Sequence, residues 1–258
     1  MICPHDEAGD GPAVVLLHAG VADRTMWREH LKPLADAGYR AIAPDLPGFG
    51  EAPVPPGPQA PWNDVLETMH ALGVQRAALV GNSFGGAVAL RVALVAPVAV
   101  SSLALISIPP LDLDPSPELE AAWAAEEGAL GRGDADAAVQ TVVDAWTLPD
   151  APADLRGRVA KMQRRAFALQ AESAGATEAR DPLEENPNLL TRLDLPALVA
   201  VGEREPFSDF REGAQSLAVS LLRARLTVIE GAGHLAPLET PAAFRELLLG
   251  FLAESAGD

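Results

Sequence analysis

Short apolar runs that alternate with longer helical segments constrain the fold of this 258-residue chain more than any other feature. The runs are continuous rather than alternating in polarity, which is typical of strands that are covered on both faces. They lie at 13–18, 39–44, 77–82, 103–108, 197–202 and 226–231. Helical patterns separate or follow them, at 24–37, 61–72, 84–96, 208–222 and 240–253. This alternation predicts an α/β fold with a doubly wound, mostly parallel sheet.

Residues 112–190 interrupt this alternation. They contain no convincing strand pattern and instead predict three helices, at 116–130, 134–147 and 153–174. Proline-rich, acidic stretches mark the entry and the exit of the segment.

The interruption divides the chain into two parts. We predict a core formed by residues 1–111 and 191–258 and a helical cap, or lid, formed by residues 112–190. Long insertions after a strand are where α/β enzymes build their pockets. The alternative is a domain extension that has no role in binding.

Composition narrows the class of protein without indicating a substrate. The formal charge of −17 argues against nucleic acid and anionic membrane surfaces as partners, because both attract clustered Lys and Arg. Cys3 is the single cysteine, which excludes an intrachain disulfide and any metal site built from several cysteines. Neither a secretory signal pattern nor a transmembrane run is visible. We therefore expect a soluble cytoplasmic protein; a small-molecule substrate follows only from the motifs below.

Ser83 lies in the stretch GNSFGG, directly between a predicted strand and a predicted helix. Glycines two residues before and two residues after the serine let the chain turn sharply. The positive end of the following helix then points at the serine. One interpretation is a catalytic nucleophile, and the other is a tight turn whose small residues let the strand meet the helix.

His234 follows the last predicted strand, in a glycine-rich loop that precedes a predicted helix. Because ligands bind beyond the carboxyl ends of parallel strands, we expect His234 and Ser83 on the same rim of the sheet. A lone loop histidine usually serves packing, but two matched signals on one rim favour a catalytic pair.

Such a pair also needs a carboxylate that orients the histidine and two backbone donors that stabilise an oxyanion. The loop after the predicted strand at 197–202 offers Glu203, Glu205 and Asp209 as acids. For the oxyanion hole we predict the N–H groups of Phe84 and Gly20.

Large apolar side chains of the cap and the rim are candidates for the substrate pocket. The predicted pocket residues are Trp27, Trp123, Trp146, Met162, Phe167 and Leu235. The alternative for each is that it packs the cap onto the sheet. Since the motifs place few charges at the site, an uncharged, mostly apolar substrate is favoured.

Together these motifs resemble the α/β-hydrolase family over nearly all of residues 10–253. The family's oxyanion motif is present as HAG, its D-x-x-G-x-G turn as DLPGFG, its nucleophile elbow as GNSFGG and its histidine loop as GAGHLAPLE. The lid-bearing branch that includes 3-oxoadipate enol-lactonases and small bacterial esterases is the most similar. The resemblance implies hydrolysis of a carboxylic ester or lactone by a Ser-His-acid triad, without cofactor or metal.

Two departures from the family pattern bear on these expectations. The family's acid loop reads G-x-x-D, and counting from Gly202 places Glu205 at the aspartate position, with Asp209 in reserve. Members also usually begin with two antiparallel strands, for which the residues before the first predicted strand are too few. We expect a lost strand or an edge paired by another chain, as in a homodimer.

Related reactions remain alternatives on this scaffold. The triad could hydrolyse a C–C bond or act as a cofactor-free haloperoxidase. Dehalogenase and epoxide-hydrolase branches carry aspartate at the elbow, and serine at position 83 argues against them. A non-hydrolytic ligand-binding or biosynthetic member of the fold is a further alternative.

Overall fold

A computed structural model describes residues 1–111 and 113–255 of the chain. Asp112, the first residue of the predicted cap, and residues 256–258 of the predicted core lie outside the described residues. The strands are β1 (His5–Ala8), β2 (Ala13–Leu17), β3 (Arg40–Pro44), β4 (Gly57–Gln59), β5 (Ala77–Asn82), β6 (Val100–Ile106), β7 (Ala176–Glu178), β8 (Ala197–Gly202) and β9 (Ala224–Ile229).

Helices connect most of these strands. The α-helices are α1 (Arg28–Asp36), α2 (Pro61–Ala71), α3 (Phe84–Val95), α4 (Pro117–Gly131), α5 (Ala135–Trp146), α6 (Ala153–Ala171), α7 (Pro182–Glu185), α8 (Ser208–Ser220), α9 (Ala236–Glu239) and α10 (Pro241–Ser255). The predicted helix at 24–37 divides into a 3-10 turn, Arg24–Trp27, and α1. Within the described part of the chain, no helix combines the length and the apolar character that crossing a membrane requires.

A seven-stranded sheet in the order β1-β3-β2-β5-β6-β8-β9 forms the centre of the molecule. All neighbouring strands run parallel except β1, which pairs antiparallel with β3. The predicted α/β fold with a mostly parallel sheet is therefore confirmed. Before β2, residues His5–Ala8 form one four-residue antiparallel strand, which covers the outer side of β3.

Both faces of the sheet are buried, which explains why its strands are continuous apolar runs. In β2, Val14 and Leu16 belong to one hydrophobic cluster, while Val15 and Leu17 belong to the cluster on the opposite face. Successive side chains of a strand point to opposite faces, so a sheet covered on both sides needs apolar residues at every position.

The structure differs from the strand predictions in the exposure of β9 and in the short strands β4 and β7, which were not predicted. The strand predicted at 226–231 is the edge strand β9, where Leu226 is 41% and Val228 50% exposed because the strand is last in the sheet. The cap also contains a strand: β7 pairs with β4 of the core in a separate two-stranded sheet. Three residues without an apolar pattern gave no signal of it in the sequence.

The segment predicted as a cap consists mainly of α4, α5 and α6. Ser116 and Asp134 cap the first two helices, each side chain accepting a hydrogen bond from a backbone N–H of the first turn. Buried residues of α5 and α6, such as Val142 and Val159, join the same hydrophobic cluster as one face of the sheet. The helices of the predicted cap are thus packed onto one face of the sheet.

His30 on α1 is a fully buried, neutral histidine. Its ring packs edge-on against Phe244 of α10, with the centroids 5.1 Å apart, and its Nε2 donates a hydrogen bond to the Pro237 carbonyl at 2.9 Å. Nδ1 has no partner among the described residues. Burial lowers the pKa of His30, because protonation would place an unpaired charged N–H in apolar surroundings.

We expect the free energy of unfolding to fall as the pH drops below about 6.5, the pKa of an unfolded histidine. Because the folded pKa of His30 is lowered, the unfolded chain binds more protons in this range. The stability that neutral His30 contributes is complete above about pH 6.5 and is lost below it, at up to about 1.4 kcal/mol per pH unit. Urea unfolding at a series of pH values measures this slope.

His30→Gln isolates the contribution of His30, because glutamine keeps a donor towards Pro237 and does not titrate. We expect a shallower loss of stability in this variant and an unchanged loss in His70→Gln, whose histidine is exposed. Equal slopes in the wild type and in His30→Gln would contradict the assignment.

Candidate active site

Ser83 occupies a strained turn between β5 and α3. Its φ of 53° and ψ of −119° lie in a region that residues other than glycine rarely adopt. The flanking glycines are required by space: a Cβ on Gly81 would lie 2.3 Å from the backbone of Gly85, and one on Gly85 would lie 2.2 Å from the Leu17 carbonyl oxygen. Close packing of strand against helix therefore positions the serine at the carboxyl end of β5.

His234 and Glu205 form a buried contact at the same end of the sheet. The Nδ1–H of His234 donates to Glu205 Oε1 at 2.6 Å, and the side chains are only 2% and 0% exposed. Glu205 lies in the loop after β8, and His234 lies in the loop after β9. The structure thus brings together the histidine and the acid at the family's aspartate position.

Ser107, directly after β6, is a component that sequence reasoning missed. Its Oγ–H donates to Glu205 Oε2 at 2.7 Å, so each oxygen of the carboxylate accepts one hydrogen bond. Ser107 also has a positive φ, 44°, and is fully buried. The strained backbone at the end of β6 turns this hydroxyl towards the acid, and no local motif indicates it.

The reserve acid Asp209 is engaged elsewhere. Its two carboxylate oxygens accept hydrogen bonds from the N–H and the Oγ–H of Ser116, at 2.6 and 2.8 Å. Desolvation opposes ionisation, but these hydrogen bonds hold the pKa of Asp209 below its usual range. Asp209 lies in the first turn of α8 and ties the start of α4 to the core. The third acid, Glu203, accepts a hydrogen bond from the Gly231 N–H.

Glu239 holds the histidine loop in place. Its carboxylate accepts hydrogen bonds from the N–H groups of Gly233, Leu235 and Leu148, at 2.9, 3.2 and 3.0 Å. Burial nevertheless raises the pKa of Glu239. Since Leu148 belongs to the cap, this carboxylate links the cap to the loop that carries His234. Glu239 ends the GAGHLAPLE motif, which was the available signal for it.

Asn82 joins the elbow to the histidine loop. Its Nδ2 donates to the carbonyls of His234 and Ile106, at 3.0 and 3.2 Å. The His234 ring itself lies between Trp146 and Phe210, with centroid distances of 4.5 and 4.6 Å. Backbone and ring are therefore both held, which restricts the imidazole to one orientation.

Gly20 and Phe84 are neighbours at the predicted oxyanion hole. A Cβ on Gly20 would lie 3.4 Å from the Phe84 Cβ, and both residues line the same pocket as Ser83. Among the described residues, neither backbone N–H has a hydrogen-bond acceptor. Two unpaired donors next to a serine hydroxyl suit an oxyanion.

His18 supports the loop that carries Gly20. Its Nε2 accepts a hydrogen bond from the Leu46 N–H at 2.9 Å, so its Nδ1 carries the proton and donates to the Ala19 carbonyl at 2.8 Å. Burial lowers the pKa of His18, which keeps the ring neutral. His18 therefore serves as a structural link within this loop.

A pocket of about 370 Å³ opens above Ser83 and beneath the cap. Its lining combines the elbow, the histidine and residues from the cap and the loop after β6. The lining residues are Gly20, Val21, Ser83, Phe84, Pro109, Pro110, Leu113, Pro115, Leu119, Trp123, Glu126, Trp146, Gln163, Phe210 and His234.

Four of the six predicted pocket residues do not line this pocket. Trp123 and Trp146 do so, whereas Trp27, Met162, Phe167 and Leu235 are buried in the hydrophobic cluster between the sheet and its covering helices. Trp27 packs against His30 and Phe244, and Met162 accepts a weak hydrogen bond from Thr25. Size and apolar character do not distinguish packing residues from lining residues, because only the helix orientation decides which face meets the pocket. Gln163 and Glu126 were missed for the same reason.

A family model described as "Alpha/beta hydrolase family" matches residues 14–247. The chain belongs to the alpha/beta hydrolase family. The resemblance that the sequence motifs indicated is thereby confirmed at the level of the family, and with it the expectation of a hydrolase.

Relatives within the alpha/beta hydrolase family have different activities. The chain is 31% identical to a 2-hydroxy-6-oxo-6-phenylhexa-2,4-dienoate hydrolase of Burkholderia cepacia, over 96% of this chain and 90% of that protein. It is 37% identical to an epoxide hydrolase of Siraitia grosvenorii, over 42% of this chain and 36% of that protein. Several curated relatives are, like the latter, matched over less than half of their length. A thermophilic esterase from Thermogutta terrifontis is similar in structure, with a TM-score of 0.77, 26% identity and coverage of 98% and 93% of the two chains.

Proposed function

We propose that this protein is a serine hydrolase that cleaves a carboxylic ester or lactone through an acyl-enzyme. Ser83 is the nucleophile, His234 the general base and acid, and Glu205 the carboxylate that orients the histidine. The observation that carries this proposal is the buried hydrogen bond between Glu205 and His234, whose ring lines the same pocket as the strained elbow serine.

The first half of the reaction forms the acyl-enzyme. Ser83 Oγ attacks the carbonyl carbon while its proton passes to Nε2 of His234, the ring nitrogen that Glu205 does not engage. Glu205 stabilises the imidazolium that forms. The carbonyl oxygen becomes an oxyanion that the N–H groups of Gly20 and Phe84 stabilise. The tetrahedral intermediate collapses, and His234 returns the proton to the departing alkoxide.

The second half releases the acid. Water enters the pocket, and His234 removes its proton as the oxygen attacks the acyl carbonyl. The ester bond to Ser83 breaks, and the protonated histidine returns the proton to the serine. In a lactone the alcohol and the acid stay in one product, a hydroxy acid.

Serine at the elbow supports this proposal against epoxide opening, the activity in the names of several relatives. In epoxide-hydrolase branches an elbow aspartate forms the ester intermediate, and this chain has a hydroxyl at that position. C–C bond hydrolysis or a haloperoxidase-like reaction on the same triad is distinguished by substrate.

Covalent labelling tests the proposal directly. We expect a fluorophosphonate to modify folded protein at Ser83 alone, as seen by peptide mass spectrometry, and heat-denatured protein not at all. We also expect hydrolysis of p-nitrophenyl esters and no cleavage of β-diketones. Absence of an adduct in folded protein would favour a non-hydrolytic ligand-binding member of the fold, and cleavage of diketones alone would favour C–C hydrolysis.

A further inference from the structure

Gln163 on α6 is a buried amide in the wall of the pocket that contains Ser83. The residue is only 3% exposed, and its Oε1 has no hydrogen-bond partner among the described residues. A buried, unpaired amide lowers stability by about 1–3 kcal/mol. An unpaired amide group at that cost, in the wall of the pocket that contains Ser83, indicates that a ligand satisfies it.

Glu126 on α4 adds a negative charge to the same pocket. Leu119 and Trp123 precede it by seven and three residues on the helix, so one face of α4 contributes all three to the wall. Burial, with a smaller contribution from the neighbouring Glu127 carboxylate, raises the pKa of Glu126. Glu126 is half-buried and has no ion pair among the described residues. In its ionised form this carboxylate repels an anion that enters the pocket.

Among the described residues, this wall contains no lysine or arginine side chain. Apart from His234, the lining residues in the described part of the chain include no histidine, lysine or arginine. A substrate carboxylate would therefore enter a low-dielectric space that contains one like charge and no fixed cation, which is strongly unfavourable. A neutral amide or hydroxyl meets no such penalty and can pair with the amide of Gln163.

We infer that the pocket selects esters or lactones that carry a neutral hydrogen-bonding group, an amide or a hydroxyl, and rejects those that carry a carboxylate. Gln163 is the residue that recognises the neutral polar group, and Glu126 is the residue that excludes the anion. This inference rests on the proposed ester or lactone hydrolysis and specifies its substrate class.

Three p-nitrophenyl esters with acyl chains of equal length test the inference: the 4-acetamidobutanoate, the heptanoate and the adipate half-ester. We expect Gln163→Leu, an apolar replacement of similar size, to lower the ratio of kcat/KM for the amide over the heptanoate about tenfold. We expect Glu126→Gln to raise kcat/KM for the adipate half-ester about tenfold and to change the other two little. Glu127→Gln removes the same charge from an exposed position one residue away and serves as the control.

A binding measurement separates this inference from the proposed function. N-Butylacetamide and hexanoate are titrated into the wild type and each variant while the tryptophan fluorescence is followed, to which Trp123 and Trp146 in the pocket wall contribute. Preferential binding of the amide, weakened about tenfold in Gln163→Leu, supports the inference even if no ester is cleaved. The absence of ester cleavage would contradict only the proposed hydrolase activity. Equal binding of amide and anion, or an amide affinity that Gln163→Leu leaves unchanged in folded protein, would overturn it.

Discussion

Replacing Ser83 with alanine is expected to lower the turnover of an ester substrate about 10⁶-fold. The loss is large because the acyl-enzyme path needs the Ser83 oxygen, and the remaining pocket supplies only binding and the backbone donors of Gly20 and Phe84. His234→Ala is expected to cost a similar factor, because the hydroxyl is a weak nucleophile without a base that takes its proton. Steady-state hydrolysis of a p-nitrophenyl ester, measured after the initial burst and with contaminating esterase removed, gives the turnover of both variants.

The double variant is the sharper part of this experiment. If Ser83 and His234 act as one unit, Ser83→Ala combined with His234→Ala is expected to be no slower than either single variant. Thermal unfolding checks that each variant is folded, and His70→Ala, at an exposed histidine, is the matched control. Turnover in Ser83→Ala within about a hundredfold of the wild type would contradict a nucleophilic role for this serine.

Replacing Glu205 with glutamine is expected to lower kcat by about 10³ to 10⁴ while the fold is kept. Glutamine preserves the size of the side chain but removes the charge that stabilises the protonated His234. Its amide also presents a donor where the carboxylate accepts from His234 and Ser107. The substitution therefore favours the wrong tautomer of the His234 imidazole and removes the negative charge beside it. Both effects make His234 a weaker general base.

Asp209→Asn is the matched variant for this experiment, because it removes the same charge from the other candidate acid. We expect kcat to change little and thermal stability to fall, since Asp209 accepts both hydrogen bonds that tie Ser116 to the core. The two variants therefore distinguish a catalytic acid from a structural one. Loss of the catalytic acid lowers kcat, whereas loss of the structural acid lowers the melting temperature. A large fall of kcat in Asp209→Asn, together with an active Glu205→Gln, would show that Asp209 is the catalytic acid and Glu205 the structural one.

The sequence pattern predicted the fold closely because burial on both faces of a parallel sheet leaves a local signature. Continuous apolar runs marked β2, β5, β6 and β8 to within a few residues. The strand predicted at 226–231 is present as β9, but it is half exposed at the sheet edge rather than covered on both faces. The strand β7 was not predicted, because its three residues have no apolar pattern. Contacts with a distant part of the chain, such as those of β7 with β4, do not produce a recognisable residue pattern in so short a strand.

Candidate site residues were predictable where a tight turn demands particular residue types. Gly81 and Gly85 flank Ser83 because any side chain at these positions would collide with the backbone. The five-residue segment from Gly81 to Gly85 therefore shows this requirement in the sequence itself. The roles of Ser83, His234 and Glu205 in catalysis stay predictions, but their positions follow from motifs at the ends of three strands. Ser107 has no such motif, because only the pairing of β6 with β8 brings it towards the acid loop.

By itself, the amino-acid sequence determined the parallel sheet, the sharp turn at Ser83 and the placement of His234 beyond the last strand. Each depends on interactions within one short segment or on burial that every strand shares. Only the tertiary structure decided which acid meets the histidine, and it also determined the pocket lining, where Gln163 lies in the wall while its neighbour Met162 faces the core. Those outcomes depend on how helices far apart in the sequence rotate and pack against each other. The residue types of a single segment do not predict that arrangement.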